Sequence, residues 1–350
     1  MNPAIHAAHA PKETEGRTEA LSVNAGKSSL MFERLPTIPT SQELLDKSFR
    51  RATRAADNES MVLNAGNILS DNLANLIRKF PSFENLPPFY REMVEITVGV
   101  DKIRISLSRL RWASRQTRLI TREYVGKIRR ARGTDSTPLR KSAFGRFSSV
   151  MRSIEKDMLF LNSARNLLRK MPTIDPEAPT ILIAGYPNVG KSSFIIRITG
   201  AKPEVASYPF TTRGIIVGHF VRDDKRYQVV DTPGLLDRPM SERNEIERQT
   251  VAALSHLQGV VLYILDPSEH CGYPLDSQLR LAEDLSNWIR LPMLIVANKV
   301  DIKRYSDLAE MSTETGEGVS LVLERLIALL DSKGDGLAGS SDADKSIFIK

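Results

Sequence analysis

The chain has 350 residues, a net charge of +7 and one cysteine, Cys271. At a usual ~100–200 residues per domain this is room for two domains and tails, and a single cysteine excludes an internal disulfide. No run of ~18 apolar residues and no charged start with an apolar middle occurs, which excludes an obvious membrane helix or signal peptide and sets the expectation of a soluble, intracellular protein.

The net charge conceals an asymmetry. Residues 1–172 hold 30 Lys+Arg against 17 Asp+Glu, whereas residues 173–350 hold 19 against 25. The two halves are therefore expected to face different partners. Residues 1–30 are rich in Ala, Glu, Thr and Asn without an apolar period and are expected to form a disordered tail. Gly26-Lys27-Ser28 in this tail imitates the end of a phosphate loop, but Leu21 stands where the first glycine belongs and no buried strand precedes it.

From 31 to 172 apolar residues recur at helical spacing, as in Leu63, Ile68, Leu73, Leu76 and Ile77, with breaks at Pro36–Pro39, Pro81–Pro88 and Gly133–Pro138. A domain of about four to six helices is expected. Its longest helix runs from about Val98 to Arg130, with Ile103, Leu107, Leu110, Ile120, Tyr124 and Ile128 on an apolar face. Arg104, Arg111, Arg115, Arg118, Arg122 and Arg129 follow at steps of 7, 4, 3, 4 and 7, which stacks them in one stripe. Between 101 and 150 there are 14 basic and 3 acidic residues, so few acids close in sequence neutralise it. A solvated helix face normally interleaves both signs; the stripe favours contact with phosphates, hence RNA.

Met171 to Pro179 is a proline-punctuated connector. Beyond it strands are expected at 180–185, 213–221, 226–231, 259–266, 292–297 and 308–312, with helices near 190–199, 241–257, 274–289 and 318–331. The predicted class is thus an N-terminal helical bundle followed by an α/β domain over 178–331, a mostly parallel sheet with helices on both faces, and a flexible tail over 332–350.

The run Ile181 to Ala184 feeds Gly185, Tyr186, Pro187, Asn188, Val189, Gly190, Lys191, Ser192 and Ser193, the G-x-x-x-x-G-K-S spacing of a phosphate-binding loop. The glycines permit the tight turn, backbone N–H groups face phosphate oxygens, Lys191 supplies charge at the β/γ-phosphates, and Ser192 ligates Mg²⁺. Asp231-Thr-Pro-Gly234 ends a strand, which suits Asp231 to Mg²⁺, through water, and the Gly234 N–H to a γ-phosphate. Asn298-Lys299-Val300-Asp301 follows an apolar strand, and an Asp carboxylate accepts two N–H donors from guanine that adenine does not offer. Ser312, Thr313 and Glu314 complete the base loop, with the Thr313 N–H as candidate donor to guanine O6. Thr212 is expected to reach Mg²⁺ when the γ-phosphate is present. Leu235 follows Gly234 where a water-positioning glutamine would serve, so intrinsic GTP hydrolysis to GDP is expected to be slow. His219, His256 and His270 have no partners at metal-ligand spacing.

These motifs resemble the translation-factor-related GTPases, the Obg-like group, and within it the nucleolar GTP-binding (Nog) family. Tyr186-Pro-Asn188-Val, Tyr208-Pro-Phe210-Thr211-Thr212, Leu168-x-x-Met-Pro-Thr-Ile-Asp-Pro176, Gly218-His219, Ala253-Leu-Ser-His-Leu257, Tyr263-x-Leu-Asp-Pro-Ser-Glu-His-Cys-Gly-Tyr273 and Phe80-Pro-x-Phe carry the likeness over about residues 31–330. It implies a GTPase that assembles the large ribosomal subunit, its helical domain resting on ribosomal RNA. It also implies a K⁺ site at Asn188, an asparagine associated with a monovalent cation in related GTPases. The chain stops soon after the GTPase domain and looks like a compact archaeal-type relative, so a cytoplasmic monomer is expected, nucleolar only if eukaryotic. Ten residues separate Asp301 from Ser312, leaving room only for a very short helix. The alternative is a regulatory GTPase whose arginine stripe meets an acidic protein and not RNA.

Overall fold

Helix starts in the first half are written locally. In the computed structural model, which describes residues 30–131, 134–171, 173–200, 204–206 and 214–334, α1 (Leu30–Glu33) leads into α2 (Ser41–Ala52). The Thr40 side chain accepts from the Glu43 N–H at 3.2 Å while Glu43 accepts from the Thr40 N–H at 2.8 Å, a reciprocal cap. Asp57 caps α3 (Asn58–Lys79) through the Ser60 N–H. After α4 (Pro88–Thr97), Gly99 adopts φ +86°, and this left-handed turn allows α5 (Val100–Arg130) to start at once. Two further helices follow, α6 (Thr137–Ser153) and α7 (Glu155–Leu168).

The bundle is organised on the close crossing of α3 and α5. Small residues make it close: Ala65, Gly66 and Ser70 are buried on one side, Ala113, Ser114 and Thr117 on the other, and the Ser114 hydroxyl donates to the Ser70 carbonyl at 2.9 Å. Around this seam lie Leu69, Leu73, Ile103 and Leu110, all fully buried. Phe144 of α6 stacks on Phe49 of α2 at 4.3 Å. On α7 the buried Asp157 accepts from Ser106 and Arg109 of α5.

In the second half a seven-stranded sheet has the order β2-β3-β4-β1-β5-β6-β7, formed by Glu204–Ala206, Ile215–Arg222, Lys225–Asp231, Thr180–Ala184, Gly259–Leu265, Met293–Ala297 and Ala309–Glu310. The pairs from β4 through β1, β5 and β6 to β7 are parallel; β2–β3 and β3–β4 are antiparallel. Every residue of β1, β5 and β6 is buried. Since successive side chains point to opposite faces, both faces of these strands are covered. The helices are α8 (Lys191–Thr199), α9 (Glu245–Leu254), α10 (Leu275–Trp288) and α11 (Val319–Gly334).

Sequence expectation and structure differ in three places. The edge strand β2 was not foreseen; three residues are too short to show a period. The sixth expected strand shrinks to Ala309–Glu310, and the residues between Asp301 and Ser312 form turns and this strand without a helix. The tails, including Gly26 to Ser28 and 335–350, lie outside the described residues.

The connector ties the halves. The Tyr90 hydroxyl of α4 donates to the Ile174 carbonyl at 2.6 Å and accepts from the Ile174 N–H at 3.2 Å. Burial raises that hydroxyl's pKa well above its ordinary value. Gln228 of β4 brackets Asp175, accepting from its N–H and donating to its carbonyl. Helix α4 also packs on α9, where His256 meets Glu92 at 2.8 Å.

The α3–α5 seam yields a stability test. A Cβ on Gly66 would lie 1.8 Å from Thr121 Oγ1, so Gly66→Ala must spread the helices, and overpacking of this kind costs about 1–3 kcal/mol. Denaturant unfolding should show that loss; an unchanged midpoint would mean that the crossing is loose.

Candidate functional site

The carboxyl ends of β1, β4, β5 and β6 converge on one edge of the sheet, and the loops that leave them carry the motifs. Gly185 has φ +131°, and a Cβ there would lie 2.3 Å from the Ile264 carbonyl; Gly190 has φ +107°, and its Cβ would lie 2.2 Å from Asn298 Nδ2. Glycine is required at both positions for conformation and for space. Asn188 between them is also left-handed, at φ +63°. The loop opens onto a cleft of about 530 Å³ lined by Asn188, Lys191, Ser192, Ser193, Asp231 and Asp237, among others. Tyr186 contributes by packing: its ring is buried against Tyr273, centroids 4.2 Å apart.

The phosphate end is held closed by the chain's own oxygens. Lys191 Nζ donates to the carbonyls of Gly185 at 2.7 Å and Tyr186 at 2.8 Å. The Gly234 N–H, expected at a γ-phosphate, donates to Asp237 Oδ2 at 2.9 Å. A triphosphate would have to take over both sets of donors, and anionic oxygens are the natural replacements. Leu235 is fully buried, so its side chain belongs to the core and not to the cleft.

Asp231 has a buried carboxylate oxygen without a partner. It is 1% exposed, its Oδ1 has no hydrogen-bond partner, and burial pushes its carboxyl up to about 6, with Asp237 adding to the rise and Lys191 opposing it. An orphaned buried carboxylate oxygen in the cleft that Ser192 also lines suits Mg²⁺, which is commonly bound by one or two protein oxygens together with phosphates. No cluster of three His, Cys, Asp or Glu that could hold a metal ion occurs among the described residues. Thr212, with Tyr208 to Thr211, lies outside the described residues.

The base end is a hydrogen-bonded unit. Asn298 is buried, and its Nδ2 donates to the Val189 carbonyl at 2.7 Å and to Thr313 Oγ1 at 3.0 Å. Its Oδ1 accepts from the Thr313 N–H at 2.9 Å. This is the N–H expected at guanine O6, and here it donates to the Asn298 amide oxygen. The Ser312 hydroxyl donates to Asp301 Oδ1 at 2.5 Å, leaving the exposed Asp301 its second oxygen. Arg197 of α8 clamps the same loop, donating to the carbonyls of Thr313 at 2.9 Å and Glu314 at 2.6 Å. Arg197 carried no sequence signal, since its partners are more than a hundred residues away.

On the helical half all six arginines of the stripe are exposed along α5. The expectation of an unneutralised stripe needs correction. Arg104 pairs with Glu84 at 3.1 Å, Arg118 with Asp71 at 3.3 Å and Arg129 with Glu59 at 2.8 Å. These acids come from neighbouring elements distant in sequence; Arg111, Arg115 and Arg122 have no ion pair among the described residues. His219, His256 and His270 are exposed, and among the described residues His256 meets Glu92 and His270 meets Ser268.

Comparison with known proteins matches residues 32–175 to the NOG1 N-terminal helical domain and residues 180–299 to the 50S ribosome-binding GTPase family. An uncharacterized protein of Methanocaldococcus jannaschii is 40% identical over 77% of this chain and 81% of its own length. Nucleolar GTP-binding protein 1 of Drosophila melanogaster is 39% identical over 69% of this chain and 37% of its own. The chain spans less than half the length of such nucleolar relatives. The crystal structure of a nucleolar GTP-binding protein 1 from Plasmodium falciparum aligns at 35% identity over 47% of this chain and 92% of its own, with a TM-score of 0.43.

Proposed function

The chain belongs to the Nog1/Obg-like family of P-loop GTPases, and on that premise we propose that it binds GTP and hydrolyses it to GDP and phosphate while acting on a large ribosomal subunit precursor. The observation that carries the nucleotide reading is Asp301: Ser312 fixes one carboxylate oxygen, and the carboxylate is presented where the loops from β1 and β6 meet. Guanine offers N1–H and N2–H to such an acceptor, and adenine offers no matching pair. At the other end Lys191 exchanges two carbonyls for phosphate oxygens, and the Gly234 N–H exchanges Asp237 for the γ-phosphate. Ser192 and Asp231, joined by Thr212, would hold Mg²⁺, which when bound neutralises charge on the β- and γ-phosphates.

With Leu235 in the core, no side chain at that position orients water, and intrinsic turnover is slow. Asn188, left-handed and on the wall of the cleft, is the candidate ligand for an activating K⁺. Turnover at equal ionic strength should be at least tenfold faster in K⁺ than in Na⁺. Equal rates would remove the cation.

The family description as a 50S ribosome-binding GTPase supports a ribosomal partner, and α5 supports ribosomal RNA as the contact. Arg111, Arg115 and Arg122 offer free guanidinium groups, and Trp112 among them is 47% exposed, so a base could stack beside bound phosphates. The alternative, a protein partner, draws on Ile105 and Leu119, exposed on the same helix. The double change Arg111→Glu with Arg115→Glu separates them. RNA binding should fall sharply, and its log affinity against log salt should lose about 0.7–0.9 of slope per lost contact, with folding and GTP binding intact. Undiminished RNA binding would sever α5 from the ribosome.

A further inference from the structure

Lys299 stands between two residues of the base site, yet its ammonium leaves that site. It crosses to the loop after β5 and meets Asp266 Oδ2 at 2.7 Å. Asp266 is fully buried, and its carboxylate is saturated: Oδ1 accepts from the Ser268 N–H at 2.9 Å and from the Ser268 hydroxyl, and Oδ2 also accepts from the Cys271 N–H at 2.8 Å. Its backbone is locked as well. Gln278 of α10, itself fully buried, accepts from the Asp266 N–H at 2.7 Å and donates to the Asp266 carbonyl at 3.0 Å. Burial alone would push this carboxyl up; the Lys299 ammonium, the Ser268 hydroxyl and the Cys271 amide outweigh burial and hold it below its ordinary value.

An anchor this rigid has something to hold. Lys299 has φ +61°, a left-handed backbone that a residue with a Cβ adopts at a cost. That turn lets Asn298 point back at Val189 while Asp301, two residues on, reaches Ser312. We propose that Asp266 is a positioning residue for guanine recognition: by fixing the Lys299 ammonium it maintains the left-handed turn from which Asp301 projects. The inference rests on the reading of Asn298 to Asp301 as the base site and assigns that site its support. A single buried carboxylate with one cation and three neutral donors is suited to this role, because removing either charge leaves the other group unpaired.

The test uses the full chain with Asp266→Asn, Lys299→Met and the double variant. Titration calorimetry gives affinities for GDP, ADP and tripolyphosphate; steady-state GTP turnover gives KM and kcat. Asp266→Asn should weaken GDP at least tenfold, leave tripolyphosphate within twofold, and raise KM far more than it lowers kcat, since only the base end is disturbed. The double variant should lose no more than the worse single one, because both break the same pair. Wild-type GDP affinity in Asp266→Asn, or a double loss equal to the product of the single losses, overturns the proposal. Should Asp266→Asn fail to fold, Lys299→Met decides alone: wild-type GDP affinity there overturns the pair, and a tenfold loss with tripolyphosphate retained supports it. The unaltered protein tests the underlying reading: equal affinity for GDP and ADP overturns the base site itself, whereas strong GDP preference with an inert Asp266→Asn overturns only the pair.

Discussion

The site depends on the side-chain amide of Asn298. It sits at the end of β6, inaccessible to solvent, and reaches the phosphate loop through Val189 and the base loop through both the N–H and the hydroxyl of Thr313. The phosphate loop, more than a hundred residues earlier in the chain, is thereby held at hydrogen-bond distance from the two base-site segments, where a nucleotide's two ends must be bound at once. A buried amide left unsatisfied costs about 1–3 kcal/mol per lost partner, so the loops do not separate freely. The missing Cβ at Gly190 is part of the same constraint, since any side chain there would occupy the amide's place.

Around that amide the remaining contacts fall into two kinds. Some tie the chain to itself through groups given no phosphate to bind: Arg197 on the Thr313 and Glu314 carbonyls, Lys299 on Asp266, Tyr186 on Tyr273. Others are of a kind that phosphate can displace, as with Lys191 on its loop carbonyls and the Gly234 N–H on Asp237. On the proposed reading, the phosphate-end contacts are the ones a γ-phosphate would replace, which is the division expected of a site that reports whether it is present. The halves of the chain meet beside the Asp231–Gly234 segment: helix α9, which follows it, packs on α4, and α4 holds the connector through Tyr90.

The sequence discloses what is local. Glycine spacing, an apolar strand before each motif and the proline-rich connector disclose the fold class and the order of elements, and Asp301 and Lys191 stand out as candidates because they lie in four- to eight-residue patterns. What it concealed is non-local. Asp266 and Lys299 are 33 positions apart, and neither spacing nor composition pairs them. Glu59, Asp71 and Glu84 sit far from the arginines they neutralise, so a stripe that reads as uniformly cationic along one helix is half paired in three dimensions. The contact between the Thr313 N–H and the Asn298 amide is hidden for the same reason: nothing in Ser312 to Glu314 reveals that partner.

The account stands on Asp301 as the group that selects the base, and equilibrium binding of GDP and XDP to the unaltered chain and to Asp301→Asn measures this directly. An amide presents a donor where the carboxylate presented an acceptor, and xanthine carries an O2 acceptor in place of the guanine amine. The predicted result is a reversal, with GDP favoured by the unaltered protein and XDP by the variant. GDP binding that is unchanged in Asp301→Asn would contradict it.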